Sequence, residues 1–349
     1  MKILYVVEKL SCTGGMERIL TDKMNYLVAN TQHEVVLMLL WHDNHPFAYR
    51  LDERVRVIRL DANPKLKLQM MWRFRRTARR EQPDITIYTW VMGALLAAYG
   101  GWHGGSCIYE AHRARPTMHY QWLQAAMEKR VDAVVTLTQQ DANQYHEARK
   151  VVAIPNFTTL TAEAKADHNG KRCLAIGRLI DAKDFSRLLD IWKKVSEKHK
   201  DWTLDIVGDG PEEKNLQQKI EALNLKDCVT LHHSTNDIES YYRQSSIFLM
   251  TSKFEGLGIV LIEAMTCGLA VVSVDCDYGP RHLISNGENG FLTPYTDNEV
   301  MASEICKLID NKLLREKIGQ SAIISSLAYQ PVQVMEKWLK LFTELRQNS

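Results

Sequence analysis

Short apolar runs alternate with longer amphipathic segments along most of the chain. Ile3 to Val7 reads as a buried strand, Gly14 to Ala29 as a helix and Glu34 to Leu40 as a second strand. Val55 to Leu60, Asp84 to Thr89, Ser106 to Glu110 and Ala133 to Thr138 repeat the strand pattern, with helix-length segments mostly between them. Such alternation predicts a parallel sheet covered on both faces, because parallel strands need long crossovers and the crossovers bury them. After Val151 to Asn156, the stretch Phe157 to Gly170 is polar and without period, as expected of an interdomain linker. The alternation then restarts, with strands at 172–176, 203–207, 229–232, 247–251 and 270–274 and helices from Asp184, after Pro211 and after Gly258. A last helical period, Val332 to Leu345 with Trp338, Leu341 and Phe342, lies beyond both sheets and is expected to cross back to the first. The predicted organisation is an α/β domain over 1–160, a second over 161–328, and a terminal helix over 329–349, with ligands bound in a cleft between the domains.

Composition adds boundaries to this picture. The 349 residues suit two domains, and 45% apolar with 25% charged residues is ordinary globular usage. No run approaches the roughly 18 apolar residues of a membrane span. The opening Met1 to Glu8 is too short and too soon charged for a signal peptide, so the mature chain is expected to begin near Met1. Seven scattered cysteines without a C-x-x-C pair point to a reducing cytosol and no zinc. The net charge of +2 conceals an asymmetry: residues 1–155 carry 21 Lys and Arg against 15 Asp and Glu, while 156–349 carry 23 against 27. The first half is therefore expected to face something anionic. Its whole excess lies in Lys65 to Arg80, a run of seven cations with no acid. As a helix this run is amphipathic and cationic, suited to an anionic membrane surface through Arg73, Arg75, Arg76, Arg79 and Arg80, with Trp72 or Phe74 inserting shallowly. The alternative is a helix that covers its sheet and presents a solvated Arg face. Nucleic acid is a poorer partner, since no binding motif accompanies the charge.

Three segments carry candidate chemistry. Gly14-Gly15 follows the first strand and opens its helix, where free amides favour phosphate. It is not the G-x-G-x-x-G fingerprint, and the second strand runs into Trp41-His42 rather than an acidic ribose ligand, which disfavours a nicotinamide dehydrogenase. A P-loop is absent as well. In the second half, Gly177-Arg178 leads to Lys183, two permanent cations five residues apart on a strand-to-helix loop that could grip a diphosphate. Further on, Glu255-Gly256-Leu257-Gly258-Ile259 turns into a helix containing Glu263. The glycines expose helix-start amides to an anion, Glu255 overhangs them, and Glu263 is a carboxylate in an apolar helix that needs a partner.

With their eight-residue separation, Glu255 and Glu263 resemble the E-x7-E motif of the retaining GT-B glycosyltransferases, specifically the large family 4 of nucleotide-sugar enzymes. Other matches follow in order: Gly14-Gly15 with Glu17, Glu110-Ala111-His112, Ile154-Pro155-Asn156, Gly177-Arg178 with Lys183, Val207 to Pro211, Gly268, Gly279-Pro280, and Asn289 to Leu292. The resemblance spans nearly the whole chain. It implies the α/β GT-B fold, two Rossmann-like domains facing each other across a cleft, and transfer of a hexosyl or N-acetylhexosaminyl unit from a nucleotide-diphosphate sugar, with UDP favoured, to a glycan acceptor.

Carried over by position, Arg178 and Lys183 would neutralise the donor diphosphate, with amides near Gly14-Gly15 and Gly258-Ile259 completing the cradle. Glu263 would hold the ribose hydroxyls, Glu255 would contact the donor sugar, and His112 would sit beside the reacting sugar from the opposite domain. Backbone around His233-Ser234-Thr235 would contact the base. No cofactor and no metal are implied. Asp275-Cys276-Asp277 mimics a D-x-D metal motif but stands where this family uses none. Where the family often carries an acid two residues after the Gly-Pro, this chain has His282. Bacterial members commonly act on lipid-linked oligosaccharides of surface polysaccharides, which implies a cytoplasmic enzyme, peripheral on the inner membrane face. The rivals are a nucleotide-sugar epimerase, a soluble synthase acting on a sugar phosphate, and a catalytically dead binding subunit.

Overall fold

The structure is a computed structural model that describes residues 1–12, 14–41, 45–62, 67–91, 93–94, 105–118, 121–161, 166–235 and 237–347. His42, Lys65 and Leu66 lie outside the described residues. The chain divides into two compact units, Met1–Asn156 with Pro331–Ser349, and Phe157–Gln330.

Seven strands build the first unit: β1 (Lys2–Val7), β2 (Glu34–Trp41), β3 (Arg56–Ala62), β4 (Ile85–Tyr88), β5 (Ser106–Glu110), β6 (Ala133–Thr136) and β7 (Val151–Ala153). They lie in the order β3-β2-β1-β4-β5-β6-β7, with every pairing parallel. The second unit repeats the plan with β8 (Arg172–Ile176), β9 (Thr203–Val207), β10 (Val229–His232), β11 (Ile247–Met250), β12 (Ala270–Asp275) and β13 (Phe291–Pro294), in the order β10-β9-β8-β11-β12-β13 and again all parallel. Both sheets are doubly wound. In each, the order reverses beside the first strand, and that switch point leaves a crevice outside the carboxyl ends of the strands.

Strand residues such as Ile3, Leu4, Val35, Val36, Cys173, Leu174, Val271 and Val272 are fully buried, as two-sided burial of a parallel sheet requires. The helix Phe185–Lys198 shows how the crossovers supply that cover. Asp184 caps it by accepting from the Arg187 amide, and Leu188, Leu189, Ile191, Trp192 and Val195 are turned onto the sheet. The helix Pro331–Gln347 buries Val334, Met335, Trp338, Leu341, Phe342 and Leu345 within the first unit. Among the described elements, β7, β13 and the helices Ile238–Arg243, Asn298–Asp310 and Lys312–Ser326 were not anticipated. β7 is only 3 residues long, too short for a period to register.

Candidate active site

In the second unit, β8 and β11 are neighbours at the switch point, and the loops leaving their carboxyl ends are stitched together. The Lys253 amide donates to the Ala182 carbonyl at 2.9 Å. The Thr251 hydroxyl reaches the carbonyls of Lys183 at 3.2 Å and Asp184 at 3.1 Å. This brings Lys183 and Glu255, 72 residues apart in sequence, into a 2.5 Å ion pair. The Ser252 hydroxyl donates to the same Glu255 oxygen at 2.7 Å. Gly279 makes room for the carboxylate, since a Cβ there would come within 2.5 Å of the Glu255 Cβ.

Arg178 is exposed on the loop after β8 and has no side-chain partner among the described residues. Its backbone, by contrast, is held on both sides: Gly177 donates to the Val207 carbonyl at 3.1 Å and Leu179 to that of Asp209 at 2.8 Å. The approach of the two loops requires glycine at 208, where a Cβ would lie 1.9 Å from the Gly177 carbonyl oxygen. Arg178 is thus a free cation on a fixed base.

The helix Ile259–Thr266 opens at Gly258, which has φ of 85°, and no side chain caps its first turn. Gly256 and Leu257 precede it in the same loop. Glu263 is 1% exposed, and its Oε2 accepts from the Tyr242 hydroxyl at 2.8 Å. That hydroxyl also lies 3.2 Å from the Val260 carbonyl. The partner that a carboxylate in an apolar helix demands is therefore Tyr242, a residue the sequence did not single out.

His233 is 78% exposed, and its Nδ1 lies 2.7 Å from Asp209 Oδ1. The other Asp209 oxygen accepts from the Ser234 amide at 3.1 Å and from the Ser234 hydroxyl. These bonds hold the Asp209 carboxyl below the usual carboxylate range, the Ser234 hydroxyl contributing most, and raise the His233 imidazole. Asp209, Glu213 and His233 place three exposed ligand atoms within 4.8 Å of one another, an arrangement that could receive a cation. Asp275 and Asp277 are instead both occupied by Arg281, at 2.9 and 3.6 Å.

In the first unit, the helix Gly15–Asn30 starts at Gly14, where the Glu17 carboxylate lies so close that a Cβ on Gly14 would come within 2.3 Å of Oε2. His112 follows β5, with its side chain 9% exposed and Nε2 3.4 Å from Glu110 Oε1. Burial lowers its pKa to about 4, against the opposing pull of Glu110. Glu110 itself pairs with the buried Lys23. Lys23 stands one turn from both Ile19 and Leu27 on the apolar face of its helix, and a cation at such a position was a signal available in the sequence.

The basic segment forms the helix Lys67–Glu81. Met70, Phe74 and Ala78 are buried at four-residue spacing, and Phe74 packs edge-on against Tyr88. Phe74 is therefore a core residue and does not insert into a membrane, because only one face of a helix can be apolar and exposed while the opposite face covers a sheet. Arg73 is corrected likewise: its guanidinium donates to the carbonyls of Leu60 at 2.9 Å and Asp61 at 3.3 Å, tying the helix to β3. The outward face consists of Trp72, Arg75, Arg76, Arg79 and Arg80, with Arg76 stacked 5.5 Å from the Trp72 ring. Among the described residues no helix is long and apolar enough to cross a membrane.

Two doubly wound parallel domains, with a cation-bearing loop after the first strand of the second, have the GT-B architecture. Residues 13–161 match the family described as Glycosyltransferase Family 4 and residues 156–324 that described as Glycosyl transferases group 1. The chain belongs to the GT-B glycosyltransferases. It is 30% identical to the amylovoran biosynthesis glycosyltransferase of Erwinia amylovora, over 97% of this chain and 98% of that one. It is 28% identical, over 61% of this chain and 44% of the other, to the poly(ribitol-phosphate) alpha-N-acetylglucosaminyltransferase of Staphylococcus aureus. The crystal structure of HepE from Anabaena in complex with UDP superposes with a TM-score of 0.84 at 21% identity, covering 99% of this chain and 100% of that one. These relatives favour neither the epimerase nor the sugar-phosphate synthase.

Proposed function

We propose that the chain transfers a hexosyl or N-acetylhexosaminyl unit from a UDP-sugar to a glycan acceptor in bacterial surface polysaccharide biosynthesis, with retention of anomeric configuration and without a metal. The observation that carries this reading is the convergence of Arg178, Lys183, Glu255 and an uncapped helix start at the carboxyl ends of β8 and β11. A leaving diphosphate develops negative charge, and fixed cations with oriented amides are suited to stabilise it electrostatically. Lys183 is held ready by Glu255, and donor phosphate takes over that partner while Glu255 turns to the sugar. Glu263, fixed by Tyr242, serves the ribose hydroxyls, and backbone around His233 serves the base, with the loop set by Asp209. The departing phosphate oxygen assists deprotonation of the acceptor. The names of the relatives, one in amylovoran biosynthesis and one transferring N-acetylglucosamine to a polyol phosphate polymer, support a polysaccharide acceptor, and HepE with UDP supports the base.

The acceptor is lipid-linked in this reading, presented to a cytoplasmic enzyme resting on the inner membrane face by the outward Arg face of helix Lys67–Glu81. Thermal-shift titration tests the donor assignment. UDP should raise the melting temperature well above the effect of GDP or ADP, by about 2.7 kcal/mol of added stability at a hundredfold excess over Kd. No response to any of the three nucleotides would end the donor assignment.

A further inference from the structure

The carboxyl end of β5 carries a buried polar cluster that leaving-group chemistry does not use. Lys23 and Glu110, each 2% exposed, are ion-paired, and the Lys23 ammonium lies 4.4 Å from the centre of the Trp338 ring on the terminal helix. His112 Nε2 stands 3.4 Å from the Glu110 oxygen that Lys23 takes, without forming a hydrogen bond. Glu110 Oε2 and the hydroxyl of fully buried Tyr5 on β1 are also without hydrogen-bond partners among the described residues. So many unsatisfied polar atoms around one carboxylate call for an explanation other than stability. A well-packed apolar set in place of a buried ion pair is commonly as stable or more so.

We propose that Lys23 and Glu110 are positioning residues for His112: Lys23 supplies the buried positive charge that Glu110 requires, and so helps burial keep the adjacent imidazole uncharged, a neutral hydrogen-bond partner for a sugar hydroxyl. Two nitrogens approach the same carboxylate oxygen, and the closer contact goes to Lys23. With Lys23 in place, a proton on His112 would set two cations against one anion in a desolvated pocket. The charged and titratable groups around the pair are Lys23 from the first helix, Tyr5 from β1, and Tyr109, Glu110 and His112 from β5 and the loop after it. Burial, the largest effect, and Lys23 push the imidazole down while Glu110 pulls it up, so loss of Lys23 relieves one of the two downward pushes. Trp338 gives the terminal helix a part in this device, since its ring covers the ammonium. The inference rests on the reading that His112 touches a sugar.

Two readouts on the full-length protein test it: NMR titration of the labelled His112 imidazole, and the pH profile of turnover. In Lys23→Met the imidazole becomes the only cation available to Glu110. Its titration should rise from the buried value of about 4 toward that of a free imidazole, and the acid limb of the rate profile should move up with it. Lys23→Gln, which keeps a donor for Glu110, should move both in the same direction by less, and it carries the test if the methionine variant does not fold. Adding Glu110→Gln to either variant removes the upward pull on the imidazole and should return both readouts to the wild-type position or below it. A His112 titration that stays put in folded Lys23 variants overturns the proposal. One that moves while His112→Ala keeps full turnover overturns the reading of His112 on which it rests.

Discussion

Lys183 and Glu255 are partners in the free protein, which changes what each substitution should do. In the proposed mechanism Arg178→Ala and Lys183→Ala each remove a contact that strengthens as the diphosphate departs. Turnover should fall by the equivalent of about 2.7 to 4 kcal/mol with the fold intact, and unchanged rates at saturating donor in both variants would remove the diphosphate role. Glu255→Gln should behave differently. It withdraws the carboxylate that competes with phosphate for Lys183, a partly buried pair worth about 1 kcal/mol. UDP should therefore bind somewhat tighter while turnover drops, a split that separate calorimetry and rate measurements resolve. Glu263→Gln replaces a buried carboxylate that accepts from Tyr242 with a group whose amide nitrogen cannot accept. Weaker UDP binding and a lower melting temperature should appear together, and unaltered UDP affinity in calorimetry would cancel the ribose role. Of these residues, Arg178, Lys183, Glu255 and Glu263 were legible as candidates from spacing and resemblance. Asp209 was legible only as a member of the Val207 to Pro211 match, and Tyr242 and Ser252 were not singled out, because a tyrosine or serine becomes a partner only when the fold sets it beside a carboxylate.

Among the elements, the helix Lys67–Glu81 shows how one segment satisfies two readings. Its Met70, Phe74 and Ala78 stripe covers the sheet, and its Trp72 and Arg face is turned outward. Burial of Phe74 leaves Trp72, 60% exposed, as the aromatic of that outward face. Cations near an anionic surface contribute about 1 kcal/mol each, and their reach shortens to about 8 Å near physiological salt. Pelleting with anionic vesicles should accordingly be strong at low salt and fall steeply as salt rises. Exchanging Arg75, Arg76, Arg79 and Arg80 for Gln should release the protein and leave UDP binding unchanged. Equal pelleting with neutral vesicles would assign the face to solvent. The amphipathic period was plain in the sequence, but which aromatic it buried depended on how the helix rolled onto β3 and β4.

For the molecule as a whole, the proposed stabilisation of the leaving group by fixed cations and amides predicts that transfer survives excess EDTA. Loss of activity restored by manganese would move attention to Asp209, Glu213 and His233, whose ligand atoms gather within 4.8 Å. Asp275 and Asp277, both engaged by Arg281, would remain poor candidates.

The sequence by itself determined the two parallel-sheet domains and the loops that bear the candidate chemistry. Burial on both faces forces long apolar strands, crossovers force amphipathic helices between them, and glycines are required where backbones touch, as Gly208 touches Gly177. Tertiary structure alone decided which charges meet. Lys183 faces Glu255 because β8 and β11, 70 residues apart, are neighbours at a switch point, and Lys23 meets Glu110 because the first helix and β5 belong to the same doubly wound unit. Sequence periodicity fixes which side of an element is buried. It says nothing of which distant side chain shares the same pocket, and in a desolvated site that neighbour sets both charge state and chemistry.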